Sequence, residues 1–282
     1  MNIKYNIIYI LFIILASAFI TRADTTDEKP KLEKLNVYYP EKGVVPNTDF
    51  SIILEFILNK GSHTYWVNPG DSGMPPAIDF KIPPVVTIQS IRYQNPSANG
   101  DSDVIDYGYT DTMRAIARFS LIEGYKGIDI PISINASILV CKDICVPAKA
   151  NKKIAVPISK EGDIDFLKKI TEVEEFFPSD DYLEGVAIEK GGKTELYISD
   201  LRNFEKGKIE KLRFYPIETS LFKPLLVDDI TVLEQKVVFK MDKSMYFESY
   251  PETIKGVLVS DTPFYDGRIK RNAIMCKITA PK

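Results

Sequence analysis

Histidine and tryptophan each occur once in this 282-residue chain, and cysteine occurs three times. With one histidine, any histidine-assisted chemistry falls to His63, which stands among turn residues and reads first as polar surface. The lone Trp66 reads as a core residue, because large aromatics are mostly buried. Two close cysteines without a paired histidine or a second CxxC make a poor zinc site. A net charge of −3 removes the electrostatic case for nucleic-acid binding. No paired carboxylates stand out for hydrolysis. The glycine-rich NPGDSG stretch (Asn68 to Gly73) lacks the Lys-Ser/Thr that a phosphate loop requires. At 45% hydrophobic and 27% charged residues, the composition is that of a folded globular protein and excludes a disordered one.

Long apolar runs are also missing, except at the start. Lys4 precedes a nearly unbroken apolar stretch from Ile7 to Ile20, followed by small residues at Ala16, Ser17, Ala18 and Ala23. This is the layout of a secretory signal, expected over residues 1–23 with cleavage after Ala18 or Ala23. The run is short for a bilayer span, which takes roughly 20 residues. An exported product, free of the membrane once the signal is cut, is the expectation.

From Phe50 onward the chain is rich in short β-branched or aromatic runs: SIILEFIL, AIDFKI, VVTIQSIRY, RAIARFSLI and IDIPISINASILV, separated by turn clusters such as NPGDSG, NPSANG and EGYKG. Many short strands with no helix between them predict a β-sandwich over residues 30–158. The pattern then changes. DIDFLKKITEVEEFFP places Ile164, Leu167, Ile170 and Val173 about one turn apart between charges, after the cap candidate Asp163 and before Pro178. A short amphipathic helix is expected within a connector over 159–179. Strand-like runs resume in GVAIE, TELYIS, KIEKLRFYP, VVFKM, TIKGVLVS and AIMCKITAP, predicting a second sandwich over 180–282. The fold class is therefore mainly β: two immunoglobulin-like sandwiches joined by a short helix.

Cys141 and Cys145, in LVCKDICVP, carry most of the functional information. Exported proteins meet oxidising surroundings, so a close pair is either a structural clasp or a working redox switch. On one extended strand the two residues would lie roughly 13 Å apart at about 3.3 Å per residue. A disulfide needs Cα atoms within about 7 Å. A bonded pair therefore requires the chain to reverse or coil across Lys142-Asp143-Ile144, as in a tight hairpin tip or one irregular turn. So small a ring restrains an unfolded chain weakly, which favours the redox reading over the inert clasp. Copper(I) binding with help from Met113 or Met275 is chemically open. Lys142 and Asp143 push a neighbouring thiol in opposite directions, so the local charges do not choose the attacking sulfur. Cys276, in AIMCKIT, reads as a buried inert thiol.

The segments HTYWVNPGDSGMPPAIDF (His63 to Phe80), IPPVVTIQSIRYQNP (Ile82 to Pro96), YGY (Tyr107 to Tyr109) and LVCKDICVP (Leu139 to Pro147) stand in the order of the N-terminal periplasmic domain of the DsbD/ScsB thiol–disulfide reductases, which this part of the chain resembles. LRFYPIETSLFKP and ETIKGVLVSDT are more loosely similar to the second sandwich of ScsB-type proteins. The resemblance implies an immunoglobulin-like fold with Cys141 and Cys145 as the catalytic pair. It implies a membrane-embedded thiol–disulfide electron donor, and oxidised periplasmic thioredoxin-like or isomerase proteins as acceptors. In the DsbD branch an aromatic just before the Y-G element covers the disulfide. Here that residue is Asp106, leaving Tyr107 and Tyr109 as candidates to shield the sulfurs.

The reading is an exported, periplasmic thiol–disulfide relay, a protein-disulfide reductase component needing no organic cofactor or metal. Its rivals are an envelope binding or assembly module with a structural disulfide, and a copper-handling protein in keeping with the copper-tolerance association of the ScsB branch.

Overall fold

The computed structural model describes residues 29–281, apart from 102–103, 123–124, 200–211, 227–228, 234–235 and 267–268; the signal-like segment over 1–23 lies outside the described residues. The chain is mainly β, as its alternating apolar pattern predicts, and the sheets form an immunoglobulin-like fold. Among the described residues no helix is long and apolar enough to cross a membrane.

The first part is a two-layer sandwich. One sheet runs β1 (Leu32–Tyr38), β2 (Asp49–Leu58), β8 (Thr112–Leu121), β5 (Val86–Tyr93). The other runs β10 (Cys145–Pro157), β9 (Asp129–Cys141), β3 (His63–Gly70), β7 (Ile105–Thr110), β6 (Ser97–Gly100), with β4 (Ala77–Lys81) also pairing β9. Residues at every second position fill the space between them: Ile52, Leu54 and Phe56 from β2, Ile130, Ile132, Ile134, Ile138 and Val140 from β9. Phe119 stacks on Phe50 and takes the edge of Phe80. This is the expected consequence of a side-chain period of two on strands with one buried face.

Strand β2 departs from alternation, since Ile52, Ile53 and Leu54 are all buried. The reason is α1 (Ile164–Glu174), which covers the outer face of this sheet. Ile53 and its ladder partner Ile116 pack there with Phe166 and Phe177, flanked by Ile170 and Val173. The packing face thus starts from Phe166, whereas Ile164 and Leu167, which share the expected periodicity, are exposed. Asp163 caps the helix as its sequence position suggests, accepting from the Phe166 N–H at 3.0 Å. Its other oxygen accepts from the Lys42 N–H at 2.9 Å, so one carboxylate fastens the helix start to the first sandwich.

Beyond the helix, the described residues form a seven-stranded sheet in the order β13 (Arg213–Pro216), β16 (Thr253–Asp266), β17 (Ile269–Thr279), β11 (Ser179–Lys190), β12 (Lys193–Ser199), β15 (Lys236–Met241), β14 (Ile230–Leu233). It has its own core around Leu196, Ile198, Phe214, Phe239, Leu258 and Ile278. Cys276 is fully buried in that core, and burial pushes its thiol up, out of the range in which it would react.

The two parts share apolar contacts: Tyr215, Val257 and Ala273 of the second sheet belong to the core of the first sandwich. Tyr215 receives the ring edges of Trp66 and Tyr107, at centroid distances of 6.3 and 5.0 Å. The segment after α1 is held from both sides. Buried Arg271 donates to the carbonyls of Glu174 and Phe177 at 2.7 and 3.1 Å, and Arg92 donates to that of Pro178 at 2.6 Å.

The Lys42 and Phe166 N–H groups hold the Asp163 carboxyl below the usual aspartate range. A depressed folded-state pKa contributes stability that is complete above the ordinary value of about 3.9 and is lost as pH falls through the folded value. Asp163→Ala is expected to lower unfolding stability by about 1–2 kcal/mol at neutral pH. The gap between the two proteins, measured by urea unfolding, should narrow in acid; a gap constant down to pH 2 would contradict this role.

Candidate thiol–disulfide site

Strands β9 and β10 form one long antiparallel hairpin, in register from Pro157 opposite Asp129 to Cys145 opposite Cys141. Apolar residues of β9 at every second position lock that register against the core, because a slip of one residue would turn Ile134, Ile138 and Val140 outward. Lys142, Asp143 and Ile144 make the turn, with the Lys142 N–H donating to the Ile144 carbonyl at 3.0 Å. The reversal brings the two Cα atoms to 4.1 Å, and the sulfurs are bonded. The two cysteines differ in exposure: Cys141 is 1% exposed, Cys145 is exposed, and Ile144 beside it is 54% exposed.

Strand β3 lies next to β9 and supplies the neighbours. His63 is the ladder partner of Cys141 on one side and of Thr110 on the other. The Tyr65 hydroxyl lies 3.1 Å from Cys141 Sγ and 3.7 Å from Cys145 Sγ. Burial raises the pKa of this phenol, so at neutral pH it keeps its proton and acts as a donor. The His63 ring meets the Tyr65 ring edge-on at 5.6 Å between centroids.

The turn after β3 completes the enclosure, and the residues of NPGDSG have separate tasks. Asp71 accepts from the Ile105 N–H at 3.0 Å, and its own N–H donates to the Ile105 carbonyl at 2.9 Å. Gly70, at φ +86°, lies so close to β7 that a Cβ would stand 2.4 Å from the Ile105 oxygen. The Ser72 N–H and hydroxyl both donate to Asp106 Oδ1, at 3.1 and 2.8 Å. Gly73, at φ +85°, presses on the Tyr65 ring, where a Cβ would come within 2.1 Å of a ring carbon. The loop is thereby pinned to β7 and closes over the tyrosine that touches both sulfurs. The Ser72 hydroxyl, whose proton goes to the Asp106 carboxylate, also stands beside the Tyr65 hydroxyl.

Tyr107 and Tyr109, the candidates to shield the pair, sit on the other face of β7. Tyr107 packs on Tyr215, and the Tyr109 hydroxyl donates to the Gln94 carbonyl at 2.9 Å; both belong to the sandwich core. The structure brings Tyr65 to the sulfurs instead. The physical reason is the pleat: Tyr109 is paired with core-facing Thr64, while Tyr65 is paired with Gly108 on the sulfur side. His63, which reads from the sequence as polar surface, is the ladder partner of Cys141. The signal available for both was the spacing of HTYW, where His63 and Tyr65 share one face and Trp66 takes the other. Among the described residues no cluster of three or more histidine, cysteine or carboxylate side chains gathers to hold a metal.

Comparison with known proteins agrees with this geometry. Residues 37–157 match the family described as thiol:disulfide interchange protein DsbD, N-terminal. The N-terminal periplasmic domain of ScsB from Proteus mirabilis is similar in fold over 92% of this chain and 96% of its own, with a TM-score of 0.59 at 13% identity. The reduced DsbD N-terminal domain of Neisseria meningitidis aligns over 44% of this chain and 83% of its own, with a TM-score of 0.29 and 10% identity. Among curated proteins none matches the chain in sequence. The sandwich that carries Cys141 and Cys145 belongs, over residues 37–157, to the DsbD N-terminal family.

Proposed function

We propose that the chain is an exported thiol–disulfide relay, in which the Cys141–Cys145 couple passes electrons to oxidised proteins of the cell envelope. At the family level the domain supports thiol–disulfide exchange. The observation that carries the finer reading is the asymmetry of the pair: Cys145 is an exposed residue at a hairpin tip, while Cys141 is buried with its sulfur nearer the Tyr65 hydroxyl. A structural clasp has no need of that arrangement, whereas an exchange couple has.

In the reduced form, the Cys145 thiolate attacks one sulfur of a partner's disulfide. That bond breaks, the partner's other sulfur leaves as a thiolate, and Cys145 holds the partner as a mixed disulfide. Cys141 then attacks Cys145 Sγ, releasing the partner reduced and leaving the Cys141–Cys145 bond. A second thiol donor, which we take to be a membrane-embedded dithiol protein, re-reduces the couple by the reverse steps. The Tyr65 hydroxyl, donating to Cys141 Sγ, stabilises the thiolate that resolves the mixed disulfide. Ile144 and Cys145 form the part of the tip that a partner meets first.

Three outcomes are expected. Cys141→Ser should accumulate mixed disulfides with envelope proteins, while Cys145→Ser should not, as read from non-reducing gels followed by mass spectrometry; capture by neither variant would remove the relay. Equilibration with a glutathione buffer should place the couple above about −300 mV, the region of exchange-active rather than structural bonds. Tyr65→Phe should slow resolution by about 10- to 150-fold, since a hydrogen bond to a charged group contributes roughly 1.5–3 kcal/mol; an unchanged single-turnover rate would show that the hydroxyl serves packing alone.

A further inference from the structure

The relay needs a proton acceptor for its buried thiol. Once a partner is held on Cys145, Cys141 must lose its proton before it can attack. Burial favours the neutral form of a thiol, so a cysteine as enclosed as Cys141, at 1% exposed, calls for a base to accept its proton. The titratable and charged groups around the site can be taken in turn. Lys142, in the turn beyond Cys141, is a cation and accepts no proton. Asp143, in the same turn, is exposed to water. Asp106 on β7 is engaged by the Ser72 N–H and hydroxyl, at 3.1 and 2.8 Å. Asp111, just past β7, accepts from the Gly61 N–H at 2.7 Å. Tyr65 is a donor. His63 remains.

We infer that the His63 imidazole is the base that takes the Cys141 proton during resolution, a role that rests on the relay reading above. His63 and Cys141 are directly opposed in the β3–β9 ladder, so their side chains leave the same face of the sheet, with Cβ atoms about 4.5–5.5 Å apart. The ring also lies edge-on to Tyr65, whose hydroxyl marks the sulfur's position. Burial lowers the imidazole's pKa more than the Asp106 carboxylate raises it, so near neutral pH the ring is unprotonated and free to accept. The step balances. The Cys141 S–H proton moves to the imidazole, and the thiolate forms a bond to Cys145 Sγ. The bond from Cys145 to the partner sulfur breaks, and its electron pair leaves with that sulfur. The imidazolium then returns its proton to the departing thiolate. The couple is oxidised by two electrons, and the partner's cysteine is reduced.

The test uses the full chain, reduced, with the aromatic disulfide 5,5′-dithiobis(2-nitrobenzoate) as the probe. Attack by Cys145 releases one coloured thiolate, and resolution by Cys141 releases a second. His63→Gln should leave the first release unchanged and slow the second by about 100-fold at pH 7, the lower end of what a positioned base contributes. The difference should fade as pH rises through the thiol's own pKa. In His63→Ala, added imidazole should restore the second release, which a purely structural role would not allow. Equal second phases in wild type and His63→Gln from pH 6 to 9, with the first phase intact, would overturn the role of His63 and leave the relay standing. Slowing of both phases alike, without imidazole rescue, would assign His63 to the fold rather than to proton transfer. No release from wild-type protein would overturn the relay, and His63's part with it.

Discussion

The pleat of strand β3 is the constraint on which the rest of the site depends. Residues one apart point to opposite faces, so HTYWVN sends His63 and Tyr65 toward the disulfide and Thr64, Trp66 and Asn68 toward the core and the second sheet. Asn68 donates to the Pro216 and Glu218 carbonyls at 2.9 and 3.2 Å, and Trp66 meets Tyr215. The strand that presents the Tyr65 hydroxyl to the sulfurs is thus the one clamped to the far half of the molecule. A shift of β3 by one residue would lose both contacts together.

The same economy appears around the connector. Arg92 from the first sandwich and Arg271 from the second sheet converge on Glu174, at 3.4 Å each, and on the carbonyls that follow it. Arg271 is 3% exposed, and its guanidinium donates to the Phe177 carbonyl and to that of Glu174, which also accepts from the Phe177 N–H at 3.0 Å. Burying a charge is costly unless it is paired and hydrogen-bonded, and here it is both. Phe177, fully buried beneath Arg92, adds an apolar anchor to the outer sheet face. The two halves of the chain are therefore joined by charge, hydrogen bonds and apolar packing at one place.

Local patterns read well where one face of an element is buried and the other is not. The runs at 51–58, 77–82, 85–93, 114–122 and 128–140 are strands within a residue or two, and the acid at 163 is a true cap. Strands β1, β3, β7 and β10 were harder to see, for separate reasons. β10 has alternating half-buried and exposed positions and three lysines, which resemble loop composition. β3 runs into NPG, whose turn residues mask its last ladder positions. The helix shows how periodicity can mislead. Ile164 and Leu167 satisfy the helical spacing, yet the sheet surface is met by Phe166, Ile170 and Val173. The face was chosen by the aromatic able to reach Ile53 and Ile116.

What the sequence determined on its own was a condition: for Cys141 and Cys145 to be bonded, the chain must leave the extended form across Lys142-Asp143-Ile144, because a straight strand would hold them too far apart. It also carried enough of a family's motifs, in order, to place the first sandwich. Which side chains surround the sulfurs was decided only by tertiary structure. Tyr107, Tyr109, Tyr65 and His63 are all far from Cys141 along the chain, and register between β3, β7 and β9 selects among them. That register is fixed by the burial of two sheet faces at once, a long-range property that no local stretch of residues contains.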